Sequence, residues 1–151
     1  SSKPVVASQP KVTEKPSSVV EKRQNIEPIS LDWILPTTGK VIRGYSEQAK
    51  GIDIQGKVGQ PVVASSSGKV VYAGSGLQGY GNLVIIKHNK ELLSVYAHNR
   101  KLLVAEGDAV KKGEKIAEMG DSDADQVKLH FEIRRFGKPV DPTKFITADK
   151  S

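Results

Sequence analysis

Leu83-Val-Ile-Ile-Lys87 and Leu92-Leu-Ser-Val-Tyr-Ala97, separated only by His88-Asn-Lys-Glu91, decide how this chain folds. Both runs are short, rich in β-branched and aromatic residues, and bounded by polar turn residues, so both read as strands. Working outward, the same reading applies to Lys40-Val-Ile-Arg-Gly44, Gly51-Ile-Asp-Ile54, Pro61-Val-Val-Ala64 and Lys69-Val-Val-Tyr-Ala73 on one side. On the other side it applies to Lys115-Ile-Ala-Glu-Met119 and Leu129-His-Phe-Glu-Ile-Arg134. The strands recur at intervals of roughly 8 to 15 residues with Gly-bearing turns between them, the pattern of a sandwich or barrel. No helix of ten residues or more is predicted after Leu31, and the fold class is all-β.

The first thirty residues read differently. They hold four of the eight prolines and none of the fourteen glycines, with no sustained 3.6 or 2.0 period. Such a stretch buries too little apolar surface to offset the entropy of ordering it. Residues 1–30 are therefore predicted to be a flexible linker, with a short helix around Val19–Asn25 as a variant. The folded domain is expected over residues 31–151.

Composition bounds the rest. The chain has 151 residues, 37% of them hydrophobic and 5% aromatic, which suffices for one domain and a tail. No apolar run approaches the roughly 20 residues of a membrane-spanning helix. There is no initiator Met and no basic-then-apolar leader, so the sequence is expected to be a mature or trimmed stretch with any targeting signal upstream. Zero cysteines exclude disulfides, thiolate zinc sites and thiol nucleophiles together.

The net charge of +6 favours an anionic partner. Nucleic acid is not expected, because the basic residues are interleaved with acidic ones and the aromatics are too scattered for a stacking platform. A faint internal echo pairs Val58-Gly-Gln-Pro-Val62 with Glu106-Gly-Asp-Ala-Val110. It is similar to the half-motif of lipoyl and biotinyl carrier barrels, but neither Lys69 nor Lys115 has a carrier lysine's flanking context.

The residues able to carry chemistry are few. His88 follows Val84-Ile-Ile-Lys87 at a strand end and reads as a satisfied structural imidazole. His98 closes Tyr96-Ala-His98, and His130 lies within Leu129-His-Phe-Glu-Ile133. Asp53, embedded in an apolar strand, is costly to bury unless it is paired, hydrogen-bonded or bound to a metal.

Together these landmarks resemble the lysostaphin and LytM family of zinc endopeptidases that cut peptidoglycan cross-links. The resemblance runs from about Trp33 to Ile146 through Gly51-Ile-Asp-Ile54, Gly59-Gln-Pro-Val-Val-Ala64, Gly68-Lys-Val-Val-Tyr-Ala-Gly74 and Gly79-Tyr-Gly-Asn82. It continues through Tyr96-Ala-His98, Gly107-Asp-Ala-Val-Lys-Lys-Gly113, Leu129-His-Phe-Glu-Ile133 and Val140-Asp-Pro142. It implies a LytM-type antiparallel sheet or barrel-sandwich of the duplicated-hybrid-motif kind.

Active members use His-x-x-x-Asp and His-x-His to supply three zinc ligands and a catalytic His. On that resemblance Asp53 and His130 match ligand positions and His98 matches a catalytic His. The first His position falls on Ala49 and the catalytic position before Leu129 falls on Lys128. Two ligands fall short of the three a catalytic zinc keeps. By period-2 alternation the Lys128 ammonium shares a strand face with His130 and would repel a dication there. The peptidase machinery is therefore expected to be broken, with no metal and no cofactor. Asp53 is expected to take Lys128 as its counter-cation, with simple solvation of Lys128 as the alternative.

The wording of the motifs also looks like the NlpD-type murein hydrolase activators. That resemblance implies a non-catalytic domain that switches on a periplasmic N-acetylmuramoyl-L-alanine amidase during septal peptidoglycan splitting and daughter-cell separation. It further implies an outer-membrane lipoprotein whose anchor and wall-binding LysM module lie upstream of this stretch. Ala49, Asp53, His98, Lys128 and His130 would then form the partner-binding face, with Tyr45 and Tyr80 as candidate aromatic contacts. Two other functions stay open: a peptidoglycan-binding module, and a weak zinc endopeptidase with an unorthodox ligand set.

Overall fold

All the expected strands are present in the computed structural model, which describes residues 33–146; the predicted linker over residues 1–30 and the variant helix at Val19–Asn25 lie outside the described residues. In chain order the strands are β1 (Val41–Arg43), β2 (Ile52–Gln55), β3 (Pro61–Val63), β4 (Gly68–Gly74) and β5 (Asn82–Lys87). There follow β6 (Leu92–Leu102), β7 (Ala109–Val110), β8 (Lys115–Met119), β9 (Lys128–Arg135) and β10 (Lys138–Val140). Helix among the described residues amounts to one 3-10 turn, Pro142–Lys144, capped by the Asp141 side chain, which accepts from the Thr143 N–H.

Every pairing is antiparallel, in the spatial order β1-β2-β9-β6-β5-β4-β7, with β10 extending from β9 and β3 paired to β8. The long strand β6 organises this arrangement. Its first half lies between β5 and β9, while its second half pairs with β8. The change of partner falls at His98, whose φ of +68° puts an extra residue into the strand opposite β5. Such a bulge bends the strand and re-aims the side chain at the bend. A histidine is thereby delivered to the sheet's functional face from a strand otherwise buried over Ser94–Asn99.

One face of the sheet is the main core. Tyr96, Phe131, Ile52, Ile54, Ile86 and Leu129 are fully buried there, and Trp33 packs edge-on against His88 at 4.7 Å and Phe145 at 5.7 Å. A polar chain crosses this core. The Ser65 N–H donates to the Tyr96 hydroxyl (3.0 Å), which is 2.7 Å from Ser94 Oγ. Ser94 Oγ in turn lies 2.7 Å from His88 Nε2, and His88 Nδ1 lies 2.6 Å from the Ser67 carbonyl. Because a carbonyl only accepts, Nδ1 carries the proton and Nε2 accepts from Ser94. His88 is thus the structural imidazole its sequence context predicts.

The echoed segments occupy equivalent turns. Gly59 and Gly107 both sit at positive φ (86° and 99°), and each is followed three residues later by a buried valine, Val62 and Val110. The two strands that sequence reading left out are β7, only two residues long, and β10, which contains Pro139 and sits at a sheet edge, where proline is tolerated.

Candidate functional site

The other face of the sheet carries the charged groups. Alternation along β9 puts Lys128, His130, Glu132 and Arg134 on one side, and Asp53 on β2 lies directly opposite His130. Their side chains form a continuous chain of ion pairs. Lys128 Nζ donates to Asp53 Oδ2 at 3.1 Å, and His130 Nδ1 donates to Asp53 Oδ1 at 2.6 Å. His130 Nε2 donates to Glu132 Oε2 at 2.8 Å, and Arg134 Nε donates to Glu132 Oε1 at 2.7 Å. The Tyr80 hydroxyl closes the far end, donating to Glu132 Oε2 (3.0 Å) and accepting from Arg134 Nη2 (3.1 Å).

Burial and charge act against each other here. Burial raises the Asp53 pKa, but the hydrogen bonds from His130 and Lys128 outweigh it and hold the carboxyl at about 2. Burial also works to raise Glu132, and hydrogen bonds from His130 and Arg134 pull it below the usual range. For His130, burial favours the neutral ring, while the carboxylates of Asp53 and Glu132 on its two nitrogens raise its pKa above the ordinary value. An imidazolium with both N–H groups donating fits that geometry. Lys128, His130 and Arg134 against Asp53 and Glu132 then make three cations and two anions.

His98 borders this chain, its ring 6.1 Å from that of His130. Its Nδ1 donates to the Ser122 carbonyl (2.8 Å), and its backbone N–H donates to the Tyr80 carbonyl (2.8 Å). Burial lowers its pKa, the Ser122 bond opposes that, and the charges on His130 and Lys128 lower it further. The surroundings thus favour the neutral ring at His98 and the protonated ring at His130.

Of the residues singled out from sequence, Asp53, Lys128, His130 and Tyr80 meet in this one network, and His98 stands against it. Ala49 lies buried in the turn before β2, its N–H bonded to Ser46 Oγ at 3.0 Å. The Tyr45 hydroxyl is anchored instead on the Pro139 carbonyl of β10 at 3.2 Å. Glu132 and Arg134 escaped sequence reading, although Glu132 carries the same signal as Asp53: a carboxylate inside an apolar strand that must find a partner when buried.

A divalent metal does not fit these donors. His130 uses both ring nitrogens on carboxylates, and both Asp53 oxygens are engaged, one of them by an ammonium. Among the described residues no group of three or more His, Cys, Asp or Glu side chains is disposed to hold a metal ion.

The domain is thus an antiparallel β scaffold that carries an acid–histidine pair, Asp53 and His130, on one sheet face. The chain belongs to peptidase family M23, which it matches over residues 47–142. It is 59% identical over 117 residues to the lipoprotein NlpD/LppB homolog of Pseudomonas aeruginosa, covering 76% of this chain and 39% of that protein. It is 54% identical over 122 residues to the murein hydrolase activator NlpD of Escherichia coli, covering 79% of this chain and 32% of that protein. The chain thus spans well under half the length of these relatives. Among solved structures, a zinc-containing peptidase from Vibrio cholerae superposes with a TM-score of 0.69 at 28% identity, over 73% of this chain and 39% of that one. Relatives of high identity thus include a protein named as a hydrolase activator, while the solved structures similar in fold include peptidases.

Proposed function

We propose that this domain is a non-catalytic activator of a periplasmic N-acetylmuramoyl-L-alanine amidase, acting in septal peptidoglycan splitting and daughter-cell separation. The observation that carries the reading is the Lys128–Asp53–His130–Glu132 chain, which commits the remaining metal-type donors to one another. Ala49 and Lys128 stand where active members place a zinc ligand and a catalytic histidine. The named activator among the relatives supports the same reading. In this scheme residues 31–151 are the activating module and residues 1–30 its tether, in a lipoprotein held to the outer membrane through an upstream anchor.

The mechanism is a population shift. An amidase whose own segment blocks its active site opens when a partner binds the open form better than the closed one. The face around Ala49, Asp53, His98, Lys128 and His130 supplies that preference, with Tyr80 at its margin and Tyr45 as an outlying aromatic contact. Its network is already ordered by internal ion pairs, so little side-chain entropy is lost on docking. Lys128→Glu reverses the charge at one end of the network and places like charges together beside Asp53. The expected result is a folded protein that no longer stimulates its amidase; undiminished stimulation would move the docking face elsewhere. Binding of peptidoglycan by this domain is the second reading, favoured by the +6 charge, and pelleting with purified sacculi tests it.

A further inference from the structure

Beside the ion network the same sheet face becomes apolar and then cationic. The register defines two rows across strands β9, β6, β5 and β4. In one, Glu132 lies opposite Val95, Val95 opposite Ile85, and Ile85 opposite Tyr72. In the next, Arg134 lies opposite Leu93, Leu93 opposite Lys87, and Lys87 opposite Lys69. Residues facing one another across antiparallel strands share a face, so both rows lie on the side of the sheet away from the main core. There Val95 is buried with Tyr72, Tyr80 and Ile85 packed against it, while Lys87 and Lys69 are exposed.

Where the rows meet there is an apolar pocket of about 230 Å3 whose lining includes Leu77, Leu83, Ile85, Leu93 and Val95, with Tyr80 and Arg134 on its polar side. Its rim includes Gly137 of the β9–β10 turn, in which Phe136 is held at a φ of +51° and left 66% exposed. A bulky side chain in the left-handed region costs energy and is uncommon. Lys69 and Lys87 are exposed, face each other directly, and make no side-chain hydrogen bond or ion pair among the described residues. Like charges directly opposed on a sheet are destabilising. An unpaired lysine couple thus stands beside an apolar socket, with the exposed Phe136, whose ring has the Arg135 guanidinium 5.9 Å from its centroid, in the turn that borders it.

We infer that this pocket and lysine pair form a docking site for an acidic amphipathic segment of the partner protein, an inference that rests on the activator reading. The pocket admits an aliphatic or aromatic side chain, the kind of anchor that dominates interfaces. Its aliphatic lining offers sugar hydroxyls few partners, which disfavours a glycan strand there. The lysine pair supplies the complementary charge for carboxylates. Rows two residues apart on a strand are separated by about 7 Å. That spacing matches an Asp or Glu two residues from the anchor in an extended segment, or four residues from it in a helix, where the rise is about 6 Å. Pairing Lys69 and Lys87 with such acids also removes their mutual repulsion.

The test compares the full chain with its Lys69→Glu/Lys87→Glu and Leu93→Asp variants, each first shown to melt like the parent. Labelled amidase from the same source is titrated at low and high salt, with and without a soluble disaccharide-tetrapeptide, and dye release from labelled sacculi is followed in parallel. The expected result is parent binding that weakens with salt, a loss of about tenfold or more in the lysine variant with a flattened salt dependence, and a comparable loss in Leu93→Asp. If Leu93→Asp fails to fold, Leu93→Ser takes its place. Parent-like amidase binding by the lysine variant overturns the docking site while amidase activation stands. Loss of tetrapeptide binding alone in that variant also overturns it, assigning the lysines to the wall. A parent chain that neither binds nor stimulates the amidase overturns the activator reading itself.

Discussion

Removing the Asp53 carboxylate should cost a substantial part of the domain's stability, and the structure sets the size. The side chain is 4% exposed and accepts from both Lys128 and His130. Its pKa of about 2, against an ordinary 3.8, corresponds to roughly 2.5 kcal/mol at about 1.4 kcal/mol per unit. Breaking a buried pair by deleting one partner costs about 3–5 kcal/mol when the orphan stays buried and unpaired. Here His130 keeps Glu132, and Lys128, at 16% exposure, can turn toward water, so the lower figure governs. Asp53→Ala is expected to lose about 2–3 kcal/mol, a fall of roughly 10 °C in Tm for a domain of this size. Thermal unfolding followed by circular dichroism at pH 7 measures it, with urea unfolding as the check on ΔG. Because the folded pKa is depressed, the Asp53 contribution is present above the unfolded value of 3.8 and lost as pH falls through about 2. The gap between parent and variant should therefore close over that window. A Tm within about 1 °C of the parent at pH 7 would refute the pairing.

Further outcomes follow from other parts of the structure. Ala49→His/Lys128→His should bind about one zinc per chain by metal analysis after dialysis, since it adds a third donor to Asp53 and His130 and removes the opposing ammonium; a metal-free double variant would show that Glu132 keeps His130 from a metal. His88→Phe should cost about 2–3 kcal/mol in urea unfolding by leaving Ser94 Oγ and the Ser67 carbonyl without their partner. Burial lowers the His88 pKa despite the Ser67 bond, so its neutral form stabilises the fold above pH 6.5 and that contribution is lost as pH falls below it. The raised pKa of His130, burial notwithstanding, works the other way: the stabilisation by Asp53 and Glu132 is full below pH 6.5 and fades as pH rises through the folded value. Gly81→Ala should lower Tm and shift the His98 imidazole resonances, because a Cβ there meets the Ser122 carbonyl that His98 bonds, at a φ of +65°.

Much of this architecture was legible in the residue order. Short β-branched runs locate the long strands because a half-buried pleated surface selects them, and the buried Asp53 announced a partner on electrostatic grounds. Lys128 as that partner followed from charge balance, with a solvated Lys128 as the alternative, and alternation on β9 placed it on the face of His130. Less legible was anything depending on register between distant strands. Nothing local to Glu132 says that His130 reaches it on one side and Arg134 on the other, or that Lys69 faces Lys87. The left-handed His98 escaped for a related reason: a bulge is dictated by two strands changing partners, not by the bulged residue. The shortest strand, β7, lacked enough residues to show a period.

The most direct measurement of the central claim is dye release from labelled sacculi by this chain alone, by a same-source periplasmic amidase alone, and by the two together. Release confined to the mixture, and unchanged after the chain is treated with a chelator and dialysed, is what a non-cutting activator predicts. Release by the chain alone that the chelator abolishes would contradict it, because the Asp53–His130 pair would then be serving a catalytic metal.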